Sequence, residues 1–310
     1  MMKIKQTKRK PTAILTADWH QRADIPKART DKVDYLSTQA TKREAIFNMA
    51  NQFGCPILIA GDLGHKPEWP CWLLSSFINS HRQTHSPQIF VTPGQHDLPH
   101  HLLSEWYNSG LGLLSTVGCI VTTVGPWASF VYDDVQVVTA PYGQDVPEFD
   151  GTDVSRRVLM MHRLVSPTYN DPNGGHYYKD ILEAYSEEFD LIVTGDNHKT
   201  FVVRTDKTTL VNPGSIMRMA SDQADHVPCV FLWYAEDNSV QAVKLPAPEG
   251  VVSRDHIEEA EYKGIRKSAF IERLGSVGGE VSESFGTNVE RLKQGATAGA
   301  KRKVDKACGE

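Results

Sequence analysis

Short apolar runs of four to seven residues recur along the first 235 residues of this 310-residue chain, and polar or turn residues bound each run. Apolar runs of this length without alternation are typical of strands that are buried on both faces. The runs lie at residues 12–17, 56–60, 88–92, 119–124, 135–140, 157–161, 191–194, 208–211 and 229–235. The chain is therefore expected to fold around sheets that are covered on both sides.

Two segments between the early runs, residues 31–53 and 69–82, have apolar residues at helical spacing. The first third of the chain therefore predicts the order β-α-β-α-β, which places parallel strands beside helices. The later part has denser apolar runs and few helical patterns. This distribution predicts an α/β fold, a β-sandwich with a partly mixed sheet flanked by helices, instead of a uniform Rossmann domain.

Composition divides the chain into four parts. Residues 1–10 are basic and are expected to be flexible, and residues 11–246 carry the apolar runs of the expected main domain. Residues 247–274 are expected to form a small helical extension with one charged helix at about 254–274. Residues 275–310 are rich in Gly, Ser, Ala and Lys, which is typical of a poorly ordered tail.

Hydropathy and cysteine content exclude several classes of protein. No apolar run approaches the 18 residues of a membrane span, and no apolar segment follows residues 1–10 as a secretory signal requires. The five cysteines are odd in number, widely spaced and without a C-x-x-C pair. This pattern argues against a disulfide scaffold and a cysteine zinc site, so we expect a cytoplasmic protein with no membrane association.

The charge distribution limits how the chain can bind an anionic partner. The net charge is −5, but residues 11–290 alone carry −14 because the two termini are basic. A globally basic nucleic-acid binder is therefore excluded. An anionic substrate has to be held by bound metal or by local basic residues, and the basic candidates are Arg22, Lys27, Arg29, Lys32, Lys42, Arg43, Arg163, Arg204 and Arg218.

Five of the predicted strands are followed directly by residues of the types that bind metal ions. These segments are D-W-H at 18–20, G-D-L-G-H at 61–65, G-Q-H-D at 94–97, His162, and G-D-N-H at 195–198. Each segment alone is a weak signal, but the carboxyl ends of strands are where open α/β sheets build their sites. Their joint occurrence in this order predicts one metal centre.

The chemistry of these residues indicates two metal ions. Oxygen and imidazole ligands without thiolates suit Mn²⁺, Fe, Zn²⁺ or Mg²⁺. Two cations about 3.5–4 Å apart need a bridging carboxylate, and such a pair can clamp a phosphate and activate a water molecule. The glycines before Asp62, Gln95 and Asp196 permit tight turns that bring the ligands close together.

The motif order D-x-H, G-D, G-N-H-D, H, G-H-x-H resembles that of the calcineurin-like metallophosphoesterases, over roughly residues 12–245. Within that superfamily, the sequence is most similar to the SbcD-type DNA-repair exonucleases and their phage counterparts. The segment D-L-G-H-K-P at 62–67 resembles the family's D-L-F-H…P stretch. The segment N-P-G-S-I-M-R at 212–218 resembles its P-G-S…R stretch.

The resemblance implies a role for each motif residue. The first metal would be held by Asp18, His20 and His198, Asp62 would bridge, and the second metal would be held by Gln95, His162 and Asp196. His96 would face the scissile phosphodiester as a catalytic residue, with Asp97 behind it to fix its ring. The implied substrate contacts are His65, Lys66 and Arg218.

Two positions depart from the family pattern. Gln95 stands where the family has Asn, and Asp196 stands where it has the first His of G-H-x-H. Both substitutions keep a ligand atom, since Gln retains the amide oxygen and Asp offers a carboxylate. The second site becomes harder and more anionic, which favours Mn²⁺ or Mg²⁺ over Zn²⁺.

The resemblance also implies a function and partners. The expected activity is a DNA nuclease in the cytoplasm of a bacterial or phage-infected cell, with an SMC-like coiled-coil ATPase subunit (SbcC-type) docked by the helix at 254–274. A homodimer is a further expectation. Two alternatives stay open: a phosphatase or phosphodiesterase for small-molecule or protein phosphoesters, and a non-catalytic adaptor on the same scaffold.

Overall fold

The computed structural model describes residues 9–31, 34–149, 151–172, 174–253 and Lys293. All of these except Lys293 belong to one compact unit, which spans residues 1–254. Residues 1–8, the helix predicted at 254–274 and, apart from Lys293, the tail predicted at 275–310 lie outside the described residues. No helix in the described part is long and apolar enough to cross a membrane.

The described residues form fourteen strands and four α-helices. The strands are β1 (Ala13–Thr16), β2 (Ile57–Ile59), β3 (Ile89–Val91), β4 (Val121–Thr122), β5 (Ser129–Tyr132), β6 (Val135–Ala140), β7 (Arg156–His162), β8 (Val165–Ser166), β9 (His176–Tyr177), β10 (Leu191–Gly195), β11 (Phe201–Arg204), β12 (Thr209–Asn212), β13 (Cys229–Tyr234) and β14 (Ser239–Lys244). The helices are α1 (Tyr35–Phe53), α2 (Cys71–Gln83), α3 (Gly110–Thr116) and α4 (Tyr178–Tyr185).

Two six-stranded mixed sheets carry the fold. The first has the order β14-β13-β1-β2-β3-β4, in which β1 to β4 are parallel and β13 is antiparallel to both of its neighbours, β1 and β14. The second has the order β11-β12-β10-β7-β6-β5, in which β11 and β5 are antiparallel edge strands. The predicted α/β sandwich with mixed sheets flanked by helices is therefore confirmed.

Three apolar cores explain why so many strands are apolar on both faces. Leu15 and Leu58 of the first sheet pack against Met160 of the second, in a core between the sheets. Ile14, next to Leu15, faces the opposite way into a core with helices α1 to α3. A third core joins the outer face of the second sheet to Ile181 of α4. Because neighbouring residues of one strand enter different cores, alternation of apolar and polar residues is lost.

Candidate metal centre

The motif residues lie at or just after the carboxyl ends of β1, β2, β3, β7 and β10, and several of them occupy a left-handed backbone conformation. The φ angles are 50° at Asp18, 43° at His20, 52° at Asp62 and 77° at Asp196. This conformation is unfavourable for residues with a Cβ atom and persists where the surrounding structure imposes it, commonly at functional sites. The backbone therefore turns sharply at each of these four residues, just past its strand.

Glycine is required where two of these turns approach the site. A Cβ atom on Gly94 would lie 2.1 Å from Asp62 Oδ1. A Cβ atom on Gly61, which has a φ of 89°, would lie 1.9 Å from His162 Nδ1. Both distances are far below van der Waals contact, so no other residue fits at either position without moving the site.

The Asp62 carboxylate lies at the centre of the motif residues and is fully buried. Its Oδ2 atom is 3.5 Å from His162 Nε2 and 3.7 Å from His20 Nε2. Its Oδ1 atom accepts a hydrogen bond of 2.9 Å from the backbone N–H of His96. One oxygen thus faces two imidazoles from different motifs, which is the placement that a bridging carboxylate requires.

Two overlapping groups of side chains surround Asp62 with ligand atoms within 4.8 Å of one another. The first is Asp18, His20 and His198, and the second is Asp18, Asp62 and His162. Within the first group, His20 Nε2 lies 3.0 Å from His198 Nε2. The sequence placed Asp18 with the first metal alone, whereas the structure places it in both groups.

Buried polar atoms without hydrogen-bond partners test whether these residues fit divalent cations. Such atoms, among the described residues of the motifs, are Asp18 Oδ2, Asp62 Oδ2, His162 Nε2, Gln95 Oε1, His20 Nδ1 and His65 Nδ1. Each unsatisfied buried polar atom costs about 1–3 kcal/mol, so a cluster of them requires an explanation. Cations would coordinate the three oxygens and His162 Nε2, and the residues present therefore fit a metal pair.

The pKa values of the site follow from burial and from the charge of Asp62. Burial raises the pKa of Asp18 and lowers those of His20 and His198, so both imidazoles are held in the neutral form that binds metal. Burial also disfavours a charged His162, but the adjacent Asp62 carboxylate outweighs it and raises the pKa of His162 to about 10. A proton on His162 thus offsets the Asp62 charge, and a cation would take its place.

Gln95 and Asp196, the two departures from the family pattern, contact each other. Gln95 Nε2 donates a hydrogen bond of 2.6 Å to Asp196 Oδ1, and the backbone N–H of Asp196 donates one of 3.0 Å to Asp18 Oδ1. Asp196 belongs to none of the ligand groups formed by the described residues. These contacts connect both residues to Asp18, and their role as ligands stays a prediction.

The expected support of His96 by Asp97 is wrong. The Asp97 carboxylate accepts hydrogen bonds from the backbone N–H groups of Leu63, Gly64 and Gly94, and it ties the loop after β2 to the loop after β3. His96 Nδ1 instead lies 3.0 Å from the carbonyl oxygen of His65. Burial raises the pKa of Asp97 to about 7. Asp97 is therefore a positioning residue for the loops.

The three predicted substrate contacts lie in different environments. His65 is beside the centre, and its ring stacks on that of His96 at 5.3 Å, while burial lowers its pKa to about 4. Lys66 is exposed. Arg218 donates to the backbone carbonyls of His226 and Pro248, so its guanidinium holds these two segments together. Substrate contact by all three stays a prediction.

Several basic residues proposed from sequence as phosphate contacts are buried. Lys42 donates to the carbonyl oxygen of Ile216 at 2.7 Å, and Arg29 pairs with Asp31. Arg43 donates to Gln21 Oε1 at 2.7 Å and so fixes the residue that follows His20. The contacts of Lys42 and Arg43 join segments that are distant in the chain and have no local sequence signal, which is why the sequence left these side chains free for substrate.

Comparisons with known proteins give similarities of fold at low identity. No family profile and no curated protein matches the chain. An archaeal phosphodiesterase is 11% identical over 75% of this chain and 99% of its own, with a TM-score of 0.39. The phosphopantetheinyl hydrolase of Mycobacterium tuberculosis is 12% identical over 77% and 97%, with a TM-score of 0.42. A Vps29 variant from Entamoeba histolytica is 12% identical over 76% and 99%, with a TM-score of 0.35. At these values the likenesses carry no inference about activity, which has to come from the site itself.

Proposed function

We propose that the chain is a dinuclear-metal phosphodiesterase of the calcineurin-like metallophosphoesterase superfamily. The observation that carries this proposal is the convergence on Asp62 of Asp18, His20, His162 and His198, which come from the ends of β1, β7 and β10. Asp18 Oδ2, Asp62 Oδ2 and His162 Nε2 are buried without hydrogen-bond partners, and the ligand atoms of each group lie within 4.8 Å of one another. A purely structural core would satisfy these polar atoms with protein donors and acceptors.

The residues of the centre divide between two cation positions. Asp18, His20 and His198 would hold one cation, and His162 with the Gln95 amide oxygen would hold the other, with Asp62 between them. When bound, the two cations would offset the charge of the phosphodiester and lower the pKa of the attacking water. The oxygen-rich second position favours Mn²⁺ or Mg²⁺.

His96 is the proposed acid for the leaving oxygen. Its Nδ1 atom lies 3.0 Å from the His65 carbonyl oxygen and therefore carries a proton, so a second proton, on Nε2, would be the one that His96 gives to the leaving oxygen. The His96 backbone N–H is bonded to Asp62 Oδ1, so the acid is fixed to the residue at the middle of the centre. Transfer of a proton by such a group typically contributes 10²–10⁴-fold in rate.

DNA is the proposed substrate, with an SbcD-type role beside an SMC-like ATPase subunit. The segments at 62–67 and 212–218 support this assignment through their resemblance to the family. Two divalent cations opposite the carboxylates of Asp18, Asp62 and Asp196 give a mildly positive site in an acidic body. In this proposal the partner subunit, docked by residues 254–274, supplies most of the affinity for the DNA backbone. Assembly as a homodimer belongs to the same proposal.

Hydrolysis of small-molecule or protein phosphoesters is the second candidate. Burial of Arg29, Lys42 and Arg43 and the backbone contacts of Arg218 leave fewer cationic side chains for a long polyanion. A short substrate needs only the metal centre and its immediate neighbours.

One set of assays separates the candidates. Linear double-stranded and single-stranded DNA, bis(p-nitrophenyl) phosphate and p-nitrophenyl phosphate are incubated with the Mn²⁺-loaded full chain, with Asp62→Asn as the inactive control. Release of nucleotides from DNA that depends on Asp62 supports the nuclease. Cleavage of the aryl diester without cleavage of DNA, alone or with the ATPase partner, supports the second candidate. Absence of all hydrolysis contradicts both.

A further inference from the structure

A groove with a volume of about 1120 Å³ lies against β4, the edge strand of the first sheet. The 3₁₀-helix Leu103–Asn108 contributes Trp106 and Tyr107 to its lining, and the turn Gly125–Trp127 contributes Trp127. Among the described residues that line this aromatic groove, none carries a charge. The proposed mechanism gives the groove no role.

The aromatic side chains of the groove are exposed to solvent. Trp127 is 52% exposed and Tyr107 is 60% exposed, whereas Trp19 and Trp233 are buried in the apolar cores. The rings of the groove therefore do not serve as core packing. Exposed aromatic side chains that share a concave surface are typical of a binding site.

Two parts of the lining lead back to the metal centre. The Tyr142 ring lies 6.5 Å from that of His162, a proposed ligand, and 6.3 Å from that of His101. Gln144 and Leu103, which line the groove, each follow one of these two aromatic residues, Tyr142 and His101, by two positions. A strand with a phosphodiester at the metal centre can therefore continue into the groove.

We propose that the aromatic groove holds unpaired bases of the DNA strand whose phosphodiester lies at the metal centre. The substrate is then a single strand or an unpaired end, because the bases of an intact duplex are stacked on each other. Bases stack on aromatic side chains with little dependence on sequence. This inference rests on the proposed function and adds to it the form of DNA that the site takes.

The charges of the chain favour contact with bases over contact with phosphates. Bases are uncharged, which matches a lining without charged residues, whereas phosphates require cations. Arg29, Lys42 and Arg43 are buried and are not available to the backbone of a strand. Stacking on Tyr107 and Trp127 is a source of affinity that needs no cationic side chain.

Two other occupants fit the groove less well. A peptide that adds a strand to the sheet needs a longer edge than β4, which has two residues. A second copy of the chain would present the same concave surface, and two grooves do not fill each other as a self-complementary interface requires. The observations therefore favour bases.

The test compares binding of two oligonucleotides to the Mn²⁺-loaded full chain by fluorescence anisotropy. One is a thymidine oligonucleotide about ten residues long with phosphorothioate linkages, which resist hydrolysis, and the other is abasic with the same length and linkages. The wild type should bind the thymidine oligonucleotide more tightly. Trp127→Ala should weaken that binding by about 5–100-fold, and Trp127→Phe, which keeps a flat ring, should lose less.

Two further variants complete the test. Trp72→Ala is the matched control, because Trp72 is 49% exposed but does not line the groove, and its binding should equal that of the wild type. Tyr107→Ala removes the other exposed ring and should also weaken binding, so it serves if Trp127→Ala fails to fold.

The outcomes separate this inference from the proposed function. Equal affinity of the wild type for the two oligonucleotides, no binding of either, or unchanged affinity in Trp127→Ala and Tyr107→Ala would overturn the groove as a base site. The proposed function fails on a different result, which is absence of bis(p-nitrophenyl) phosphate hydrolysis by the wild type. A wild-type dimer in sedimentation that becomes a monomer in Trp127→Ala would assign the groove to a second copy and also overturn the inference.

Discussion

Gln95 Nε2 donates a 2.6 Å hydrogen bond to Asp196 Oδ1, so the two residues that depart from the family pattern hold each other. This contact fixes the amide of Gln95 and leaves its Oε1 atom buried and without a hydrogen-bond partner. A carboxylate that orients a neighbouring ligand commonly contributes 10–100-fold to metal affinity. The two departures are therefore coupled, and Asp196 can act through Gln95 without touching the metal.

Replacement of Asp196 tests this coupling. Asp196→Ala should keep two Mn²⁺ equivalents but weaken the second by about 10–100-fold, because the Gln95 amide loses its anchor. Asp196→Asn keeps an oxygen acceptor for Gln95 Nε2 and should lose less. The measurement is Mn²⁺ binding by electron paramagnetic resonance. Outright loss of one equivalent in both variants would identify Asp196 as a direct ligand, as the sequence predicted.

Asp62→Asn should disrupt the metal pair. The carboxylate oxygen that lies between His162 and His20 becomes part of an amide, which bridges two cations poorly. We expect loss of at least one Mn²⁺ equivalent and a fall in phosphodiester hydrolysis of about 10³-fold, equivalent to about 4 kcal/mol. Both are read from one preparation by metal analysis and initial rates. A variant that kept both metals and full activity would show that Asp62 does not bridge.

His96→Ala should separate metal binding from catalysis. The imidazole of His96 groups with His20 and His65 but with neither Asp18 nor Asp62, so two Mn²⁺ equivalents should remain. The rate of phosphodiester hydrolysis should fall about 10²–10⁴-fold, the usual contribution of a general acid. His176→Ala, on an exposed histidine, is the control. Loss of Mn²⁺ from His96→Ala would place His96 among the ligands and exchange its role with that of Gln95.

The fold was predictable for the strands that are buried on both faces and less so for those at sheet edges. The runs that became β1, β2, β3, β4, β6, β7, β10, β12 and β13 were all found, and of these only β4 ends a six-stranded sheet. The missed strands β5, β11 and β14 end the six-stranded sheets, and β8 and β9, also missed, form a separate two-stranded sheet. The strand β11 has only three consecutive apolar residues, at 201–203, which is shorter than the runs used for prediction, and its residues alternate between half-buried and exposed positions. The short helices α3 and α4 were missed for a similar reason, since each spans eight residues or fewer.

The site was predictable in its members but not in all of its contacts. Motif order placed the metal-ligand residue types at strand ends, and the structure brings them together around Asp62. The motif order did not reveal that the Asp97 carboxylate accepts hydrogen bonds from three backbone amides. It also did not reveal that Arg218 donates to two backbone carbonyls. A sequence shows which polar side chain follows a strand, whereas the group that satisfies it is set by segments that are distant in the chain.

Lys42 gives a prediction for stability that does not involve the metals. Burial lowers the pKa of Lys42 to about 7, and its Nζ atom donates to the Ile216 carbonyl. The unfolded chain has an ordinary lysine pKa near 10.4, so between about pH 7 and 10 it binds more protons than the folded chain. The free energy of unfolding should therefore rise with pH across this window, relative to Lys42→Met, by up to about 1.4 kcal/mol per pH unit. Urea denaturation in EDTA at pH 7, 8 and 9 measures the difference, and the exposed Lys244→Met is the control. A wild-type stability that runs parallel to that of Lys42→Met would mean that Lys42 stays charged in its buried position.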